Sequence, residues 1–253
     1  MKTTYMSTSI TKSFILLLLL LFSTVTFAQK KETVKDTLVY KQKYGLRLGV
    51  DLSKIARTFF EEDYTGFEVM GDYRLTKNVY LAGEIGNEER TIINETLDNT
   101  TKGSYFKAGI DLNMYKNWLD MENMIYAGFR VGASTFSQTL NNYGIYNAYN
   151  QYWDEQITIG ENREFSGLTA LFGEIQIGIK AELFNNFFAG INAQLKVLVS
   201  EKAPGNFENL YIPGFNRTYD SGRFGTGYGF NLSYLVPIFK KDKIVLQEKE
   251  AEE

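Results

Sequence analysis

Between Ala170 and Val199 the chain reads ALFGEIQIGIKAELFNNFFAGINAQLKVLV, two runs of alternating side chains joined by Asn185-Asn186. One set of positions is apolar: Leu171, Ile175, Ile177, Ile179 and Leu183, then Phe187, Ile191, Leu195, Val197 and Val199. The other carries Glu174, Gln176, Lys180 and Glu182, then Asn192, Gln194 and Lys196. A period of two places successive side chains on opposite faces of a β-strand. Such a hairpin has one greasy and one wet face, and the fold depends on which of them turns inward.

The same alternation recurs along the chain and predicts eight strands. The others are Tyr44–Leu52, Gly66–Arg74, Val79–Gly86, Ser104–Met114, Met124–Phe136 and Phe224–Phe239. Between them the connections alternate in length. Ser53–Thr65, Asn87–Gly103, Ser137–Ser166 and Ser200–Arg223 are long; Leu75–Asn78 and Asn185-Asn186 are short, and Tyr115–Asn123 is intermediate. An even strand number with long loops at one rim and tight turns at the other is the pattern of transmembrane barrels.

Charge and glycine choose the face. The polar set holds Arg47, Arg74, Lys107, Arg130, Lys180 and Lys196 against Asp51, Glu68, Asp72, Glu84, Asp111, Glu174 and Glu182. Six cations against seven anions suit a paired network inside an eight-stranded barrel, whose interior is just wide enough for its own side chains. Glycines on the same face (among them Gly128, Gly178, Gly190 and Gly227) leave room for those long partners. On the apolar face, Tyr44, Tyr73, Phe187 and Tyr234 gather near the short turns, and Phe67, Phe106, Phe224 and Tyr228 near the long loops. Two aromatic girdles bounding an apolar band suit a lipid-facing surface. The expected fold is therefore all-β: a closed antiparallel up-and-down transmembrane barrel with its apolar face outward.

These residues resemble the small eight-stranded outer-membrane barrels of the OmpA/OmpX type, and more closely the Bacteroidota-type barrel families of gut and marine Gram-negative bacteria. The resemblance covers roughly 44–239. It rests on the architecture, on the TFAQ segment ending at Gln29 and on the last strand, where GYGFNLSY (Gly227, Phe230, Leu232, Tyr234) is similar to the signal such barrels show to the insertion machinery. The chain departs from that pattern by continuing fourteen residues past Phe239. The resemblance implies an outer-membrane location, and it transfers no function.

The ends fit that location. Lys2 and Lys12, the apolar run FILLLLLLF (Phe14–Phe22) and Thr26-Phe27-Ala28 read as a secretory signal peptide over 1–28. Nine apolar residues are too few for a spanning helix, which needs about 20. Residues 29–43 are expected to be a periplasmic segment, 44–239 the barrel, and 240–253 a charged periplasmic tail. Removing Lys2 and Lys12 takes the formal charge from −3 to −5, which argues against nucleic acid as a partner.

Chemistry is limited by what is missing. The chain has no histidine and no cysteine. Ser/His and Cys/His nucleophiles, thiolate metal sites and disulfides therefore cannot be assembled. Paired carboxylates remain, Asp51 with Glu68 or Glu174 with Glu84, but they read better as counterions of Arg47, Arg130 and Lys180. The acidic run Glu61–Asp63 suits a solvated loop tip, or loose calcium binding. No cofactor and no catalytic residue are expected.

The loops remain as candidate working parts. Tyr143, Tyr146, Tyr149, Tyr152 and Trp153, interleaved with Asn and Gln, have the composition of a surface that recognises protein or glycan. The other reading is that this stretch folds over the barrel mouth or extends its flanking strands, since Glu155–Phe165 alternates too. FENLYIPGF (Phe207–Phe215) admits the same two readings. The expected protein is a non-enzymatic, monomeric outer-membrane barrel in contact with the lipid bilayer, its loops meeting an extracellular partner or shielding the membrane. A narrow channel and a secreted lipocalin-like barrel with an apolar ligand stay open as alternatives.

Overall fold

The computed structural model describes residues 35–94, 97–115, 122–144, 158–205, 208–218 and 222–248. Eight strands close into one antiparallel ring: β1 (Lys35–Asp51), β2 (Tyr64–Arg74), β3 (Val79–Asn94), β4 (Leu97–Asn113), β5 (Met124–Gly144), β6 (Thr158–Phe184), β7 (Phe187–Glu201) and β10 (Phe224–Glu248). Their order around the barrel is β1-β10-β7-β6-β5-β4-β3-β2, so each adjacent pair but β1–β10 is consecutive among the barrel strands. A short helix, α1 (Leu52–Phe60), follows β1, and a small hairpin, β8 (Tyr211–Ile212) with β9 (Asn216–Arg217), lies between β7 and β10. By its contacts the chain divides into residues 40–243, which hold the barrel, and a second unit of 1–39 with 244–253. In the second unit the described residues, 35–39 and 244–248, are strand.

The alternation sets the faces as the pleat requires. Ile175, Ile177 and Ile191 are 53%, 63% and 52% exposed on the outside, with Leu48, Phe106, Phe129, Val131 and Phe230 also exposed. Arg130, Lys107 and Glu174, on the opposite face of their strands, are 1–2% exposed. The barrel is inside out relative to a water-soluble one.

Several elements differ from expectation. Asn87–Gly103 is not a long loop: β3 runs to Asn94 and β4 starts at Leu97, held in register from Asn87↔Ser104 to Asn94↔Leu97. Within Ser137–Ser166 the described residues are strand, with β5 extended to Gly144 and β6 beginning at Thr158, which agrees with the reading that this stretch extends its flanking strands. Strand also begins at Lys35 and ends at Glu248, so 29–43 and 240–253 are not wholly outside the sheet. The long rim carries polar strand extensions whose weak alternation hides them among loop residues.

Ser53–Thr65 is not a plain loop. It contains α1, and Leu52 belongs to it rather than to β1. Asp51 caps the helix, its carboxylate accepting from the Ser53 N–H at 2.8 Å, and no proline or glycine interrupts the nine residues that follow. Tyr44, expected in the outer girdle, is buried, stacked on Phe239 at 5.3 Å with Arg74 over its ring. Tyr234, Phe67, Phe224 and Tyr228 are exposed.

Candidate functional site: the charged interior and its plug

Among the described residues, seven cations and eight anions are buried in the interior. Their central part is one connected path through every barrel strand except β10. Arg47 on β1 grips Asp72 on β2 (2.9 Å), which also takes Lys180 of β6 (2.8 Å). Lys180 reaches Asp111 of β4 (3.6 Å), and Asp111 receives Arg130 of β5 (2.7 Å). Arg130 meets Glu84 of β3 at 3.2 Å, and Lys107 binds Glu84 while lying 3.4 Å from Glu68 and 3.6 Å from Glu174. Lys196 of β7 ends the path, 3.6 Å from Glu174. Gln176 donates to both Glu84 and Glu174. Each charge is repaid by a neighbour, which is the condition for burying ions at all.

Near the short turns a second group stands apart from this path. Arg74 donates to Glu122 (2.8 Å) and to the carbonyls of Lys43 and Lys77. The Lys43 ammonium pairs with Glu182 (3.3 Å) and bonds the side chains of Asn185 and Asn186. Asn186 takes a left-handed conformation (φ 66°) that asparagine tolerates, which closes β6 onto β7 in two residues.

Of the thirteen charged residues expected in the interior, twelve make these ion pairs. Asp51 does not: it is buried but serves as the α1 cap and accepts from the Phe230 N–H at 3.3 Å. The carboxylates imagined as acid–base pairs are engaged otherwise, Glu84 and Glu174 by Lys107 and Gln176, and Glu68 by Lys107 and the Tyr105 hydroxyl. Glu61 and Asp63 are bound by arginines, Glu61 by Arg57 and Arg90 and Asp63 by Arg90 at 3.0 Å. The bond from Arg57 holds the Glu61 carboxyl below its usual range. Tyr143 lies in β5, opposite Leu97 and Ile159. Tyr146, Tyr149, Tyr152 and Trp153 lie outside the described residues.

The stretch Tyr211–Phe215 folds into the mouth. Ile212 and Phe215 pack on Phe136, Leu168, Phe172 and Leu198, with the Phe172 and Phe215 rings 5.8 Å apart. Beneath this apolar layer, Glu88 collects four donors: the Lys54 ammonium, the Tyr64 and Tyr211 hydroxyls (2.9 Å each) and the Gly214 N–H (2.8 Å). Lys196 donates to the Gly214 carbonyl at 2.8 Å, and Gln138 bonds the backbone of Glu208 and Leu210. Gly214 has φ 78°, and a side chain there would stand 2.5 Å from the Tyr105 ring. Only glycine allows this tip to seat.

Midway down lies a cavity of about 20 Å³ beside Asp72, Glu84, Arg130 and Asn231, room for about one water molecule. Gly214 lies within FENLYIPGF, and its seat agrees with the reading that this segment folds over the mouth, whereas Glu88, Lys54 and Glu122 are not among the residues the sequence singles out. Glu88 shares the parity of Glu84, so extending the alternation past Gly86 finds it. Lys54 required recognising the capped helix.

Fold and interior together define a closed eight-stranded β-barrel, apolar outside, ion-paired inside and stoppered by one of its own loops. The chain belongs to the DUF6048 family, a domain of unknown function, whose profile matches residues 8–241. No curated protein sequence matches it. Among solved structures it is similar to Ail, the attachment invasion locus protein of Yersinia pestis, at 10% identity over 77% of this chain and 99% of that one, with a TM-score of 0.36. It is also similar to the N-terminal β-barrel domain of Pseudomonas aeruginosa OprF, at 13% identity over 77% of this chain and all of that one, with a TM-score of 0.29. Likenesses this distant add nothing to the topology read from the strand pairing.

Proposed function

We propose that this chain is a non-enzymatic integral outer-membrane protein, a monomeric barrel that stands in the lipid bilayer and does not conduct. One observation carries the reading: Ile175, Ile177 and Ile191 face outward on the same strands whose inward positions bury Lys180, Glu174 and Lys196. In water that arrangement exposes a belt of large apolar side chains, whereas in hydrocarbon it satisfies every strand. A closed ring leaves no edge strand that forces pairing, which favours the monomer. The long rim supplies contact to an extracellular protein or glycan or shields the membrane, and the aromatics between Tyr143 and Trp153 supply anchors for such contact.

The alternatives find less support. A lipocalin-like barrel needs an apolar lumen, and the interior ions occupy that place. A channel needs a continuous lumen, which the ion path and the Tyr211–Phe215 tip fill. The test is fractionation of the tagged full chain, together with heat-modifiable gel migration. A heat-modifiable band in the outer-membrane fraction is expected; recovery as a detergent-free soluble monomer overturns the reading.

A further inference from the structure

The barrel wall has a notch. Strand β1 pairs with β2 only as far as Val50↔Val69 and ends at Asp51. On its other side, Gly45 abuts Val236 and Gly49 abuts Ser233, so the end of β1 lies against Phe230. Tyr64–Phe67 of β2 and Phe224–Gly229 of β10 continue past that end, and α1 occupies the interval in place of a strand. The helix is fastened on the β2 side, where the Thr58 hydroxyl accepts from the Gly66 N–H (2.8 Å) and donates to the Gly66 carbonyl (3.2 Å). On the β10 side a cleft of about 200 Å³ remains, running inward between α1 and Thr226 to the buried ammonium of Lys196.

Three cations from two elements line this cleft: Lys54 and Arg57 from α1 and Lys196 from β7. The carboxylate among the described lining residues, Asp51, is committed to the helix cap. Lys54 and Arg57 have carboxylate partners, Glu88 and Glu61, outside the lining. Lys196 is less well served. Its Nζ gives one bond to the Gly214 carbonyl (2.8 Å), and Glu174 stands 3.6 Å away, beyond hydrogen-bond reach. An ammonium has three protons to donate, and this one is 2% exposed. Gln194, Asn216 and Thr226 add neutral polar groups around the same space. The volume exceeds what one water needs many-fold.

We propose that this side cleft is a binding site for a phosphate group, drawn in by Lys54, Arg57 and Lys196. A multiply charged tetrahedral anion suits a cleft lined by three cationic residues better than a carboxylate, which brings one charge. The group has two possible sources, free phosphate from solvent or a phosphate monoester on a lipid headgroup at the level of the exposed Tyr228 and Phe230. The lipid source rests on the membrane reading above; the free source does not.

The test uses the full chain folded in detergent, titrated calorimetrically with inorganic phosphate, and the same chain in phosphatidylcholine nanodiscs with and without phosphatidic acid. Heat-modifiable migration of each sample reports the barrel independently, so loss of the membrane reading and loss of this site are told apart. Saturable binding is expected to weaken on the order of tenfold in Lys196→Gln, the worth of one charge-assisted hydrogen bond, and to vanish in Thr226→Trp, which fills the entrance from the exposed face. Binding of inorganic phosphate supports the site with a free ligand, and binding of phosphatidic acid alone supports it with a lipid ligand. If Lys196→Gln does not fold, Thr226→Trp decides. No binding of either probe by a folded barrel, or binding unchanged in the folded variants, overturns the proposal.

Discussion

The carboxylate of Glu88 on β3 accepts the backbone N–H of Gly214, 126 residues further along the chain, at 2.8 Å. That bond fastens the loop between β7 and β10 to the opposite side of the mouth, and Lys54, Tyr64 and Tyr211 converge on the same carboxylate. Glu88→Ala strips the acceptor from all four donors and leaves Lys54 as a buried unpaired charge. The expected loss is about 3–5 kcal/mol, read as a lower urea midpoint in detergent, with new protease cuts at 208–218. Glu88→Gln keeps an acceptor and is expected to lose less. A wild-type midpoint for Glu88→Ala removes the fastening role.

Gly214→Ala tests the tip itself. The new methyl meets the Tyr105 ring and must also adopt φ 78°, a conformation costing a non-glycine residue of order 1–3 kcal/mol. Tyr211–Phe215 is expected to leave the mouth while the barrel survives. Limited proteolysis then cuts at the tip, with heat-modifiable migration unchanged.

The exterior is tested by Ile177→Arg, at a position 63% exposed on β6. In a bilayer the substitution costs about 2–4 kcal/mol near mid-depth. If water bathed that face, a charge there would be close to neutral. Equilibrium unfolding from lipid vesicles, compared with wild type, separates the two.

Much of this architecture was legible because alternation is a local signal. Ile175, Ile177 and Ile179 against Glu174, Gln176 and Lys180 define both faces of β6, and the same parity carries Arg47, Asp72, Asp111 and Arg130 inward. The partners were less legible. Parity says that Arg47 points inward, but only strand order and register bring it to Asp72 rather than Asp51. Strand ends faded where both faces became polar, as along Asn87–Asn94 and Leu97–Gly103. Helix α1 was hidden because Leu52–Phe60 lies where a barrel loop is expected and only its cap, Asp51, announces it. Tyr44 has the outward parity of Leu46, yet the stack on Phe239 and Arg74 buries it.

In the proposed non-conducting barrel two obstacles stand in the lumen, the Tyr211–Phe215 tip and the ion path below it. Replacing 209–216 with a short Gly-Ser linker removes the first barrier only. Single-channel recording in planar bilayers is therefore expected to give no steady conductance for wild type or for the shortened chain. A steady open level in wild type restores the channel reading.

Acidity is expected to loosen α1 at its C-terminal end. The hydrogen bond from Arg57, reinforced by Arg90, lowers the folded-state value of the Glu61 carboxyl from the ordinary 4.5. A group lowered on folding stabilises fully above its unfolded value, and that contribution is lost as pH falls through the folded value. The window therefore lies below about pH 4. Glu61 also ends the helix, its N–H donating to the Arg57 carbonyl at 2.8 Å. Hydrogen exchange of the amides at 58–61, corrected for intrinsic rates, is expected to show less protection at pH 3 than at pH 6. Glu61→Gln flattens that difference, because the amide does not titrate. Equal protection of wild type at both pH values removes Glu61 as the titrating group.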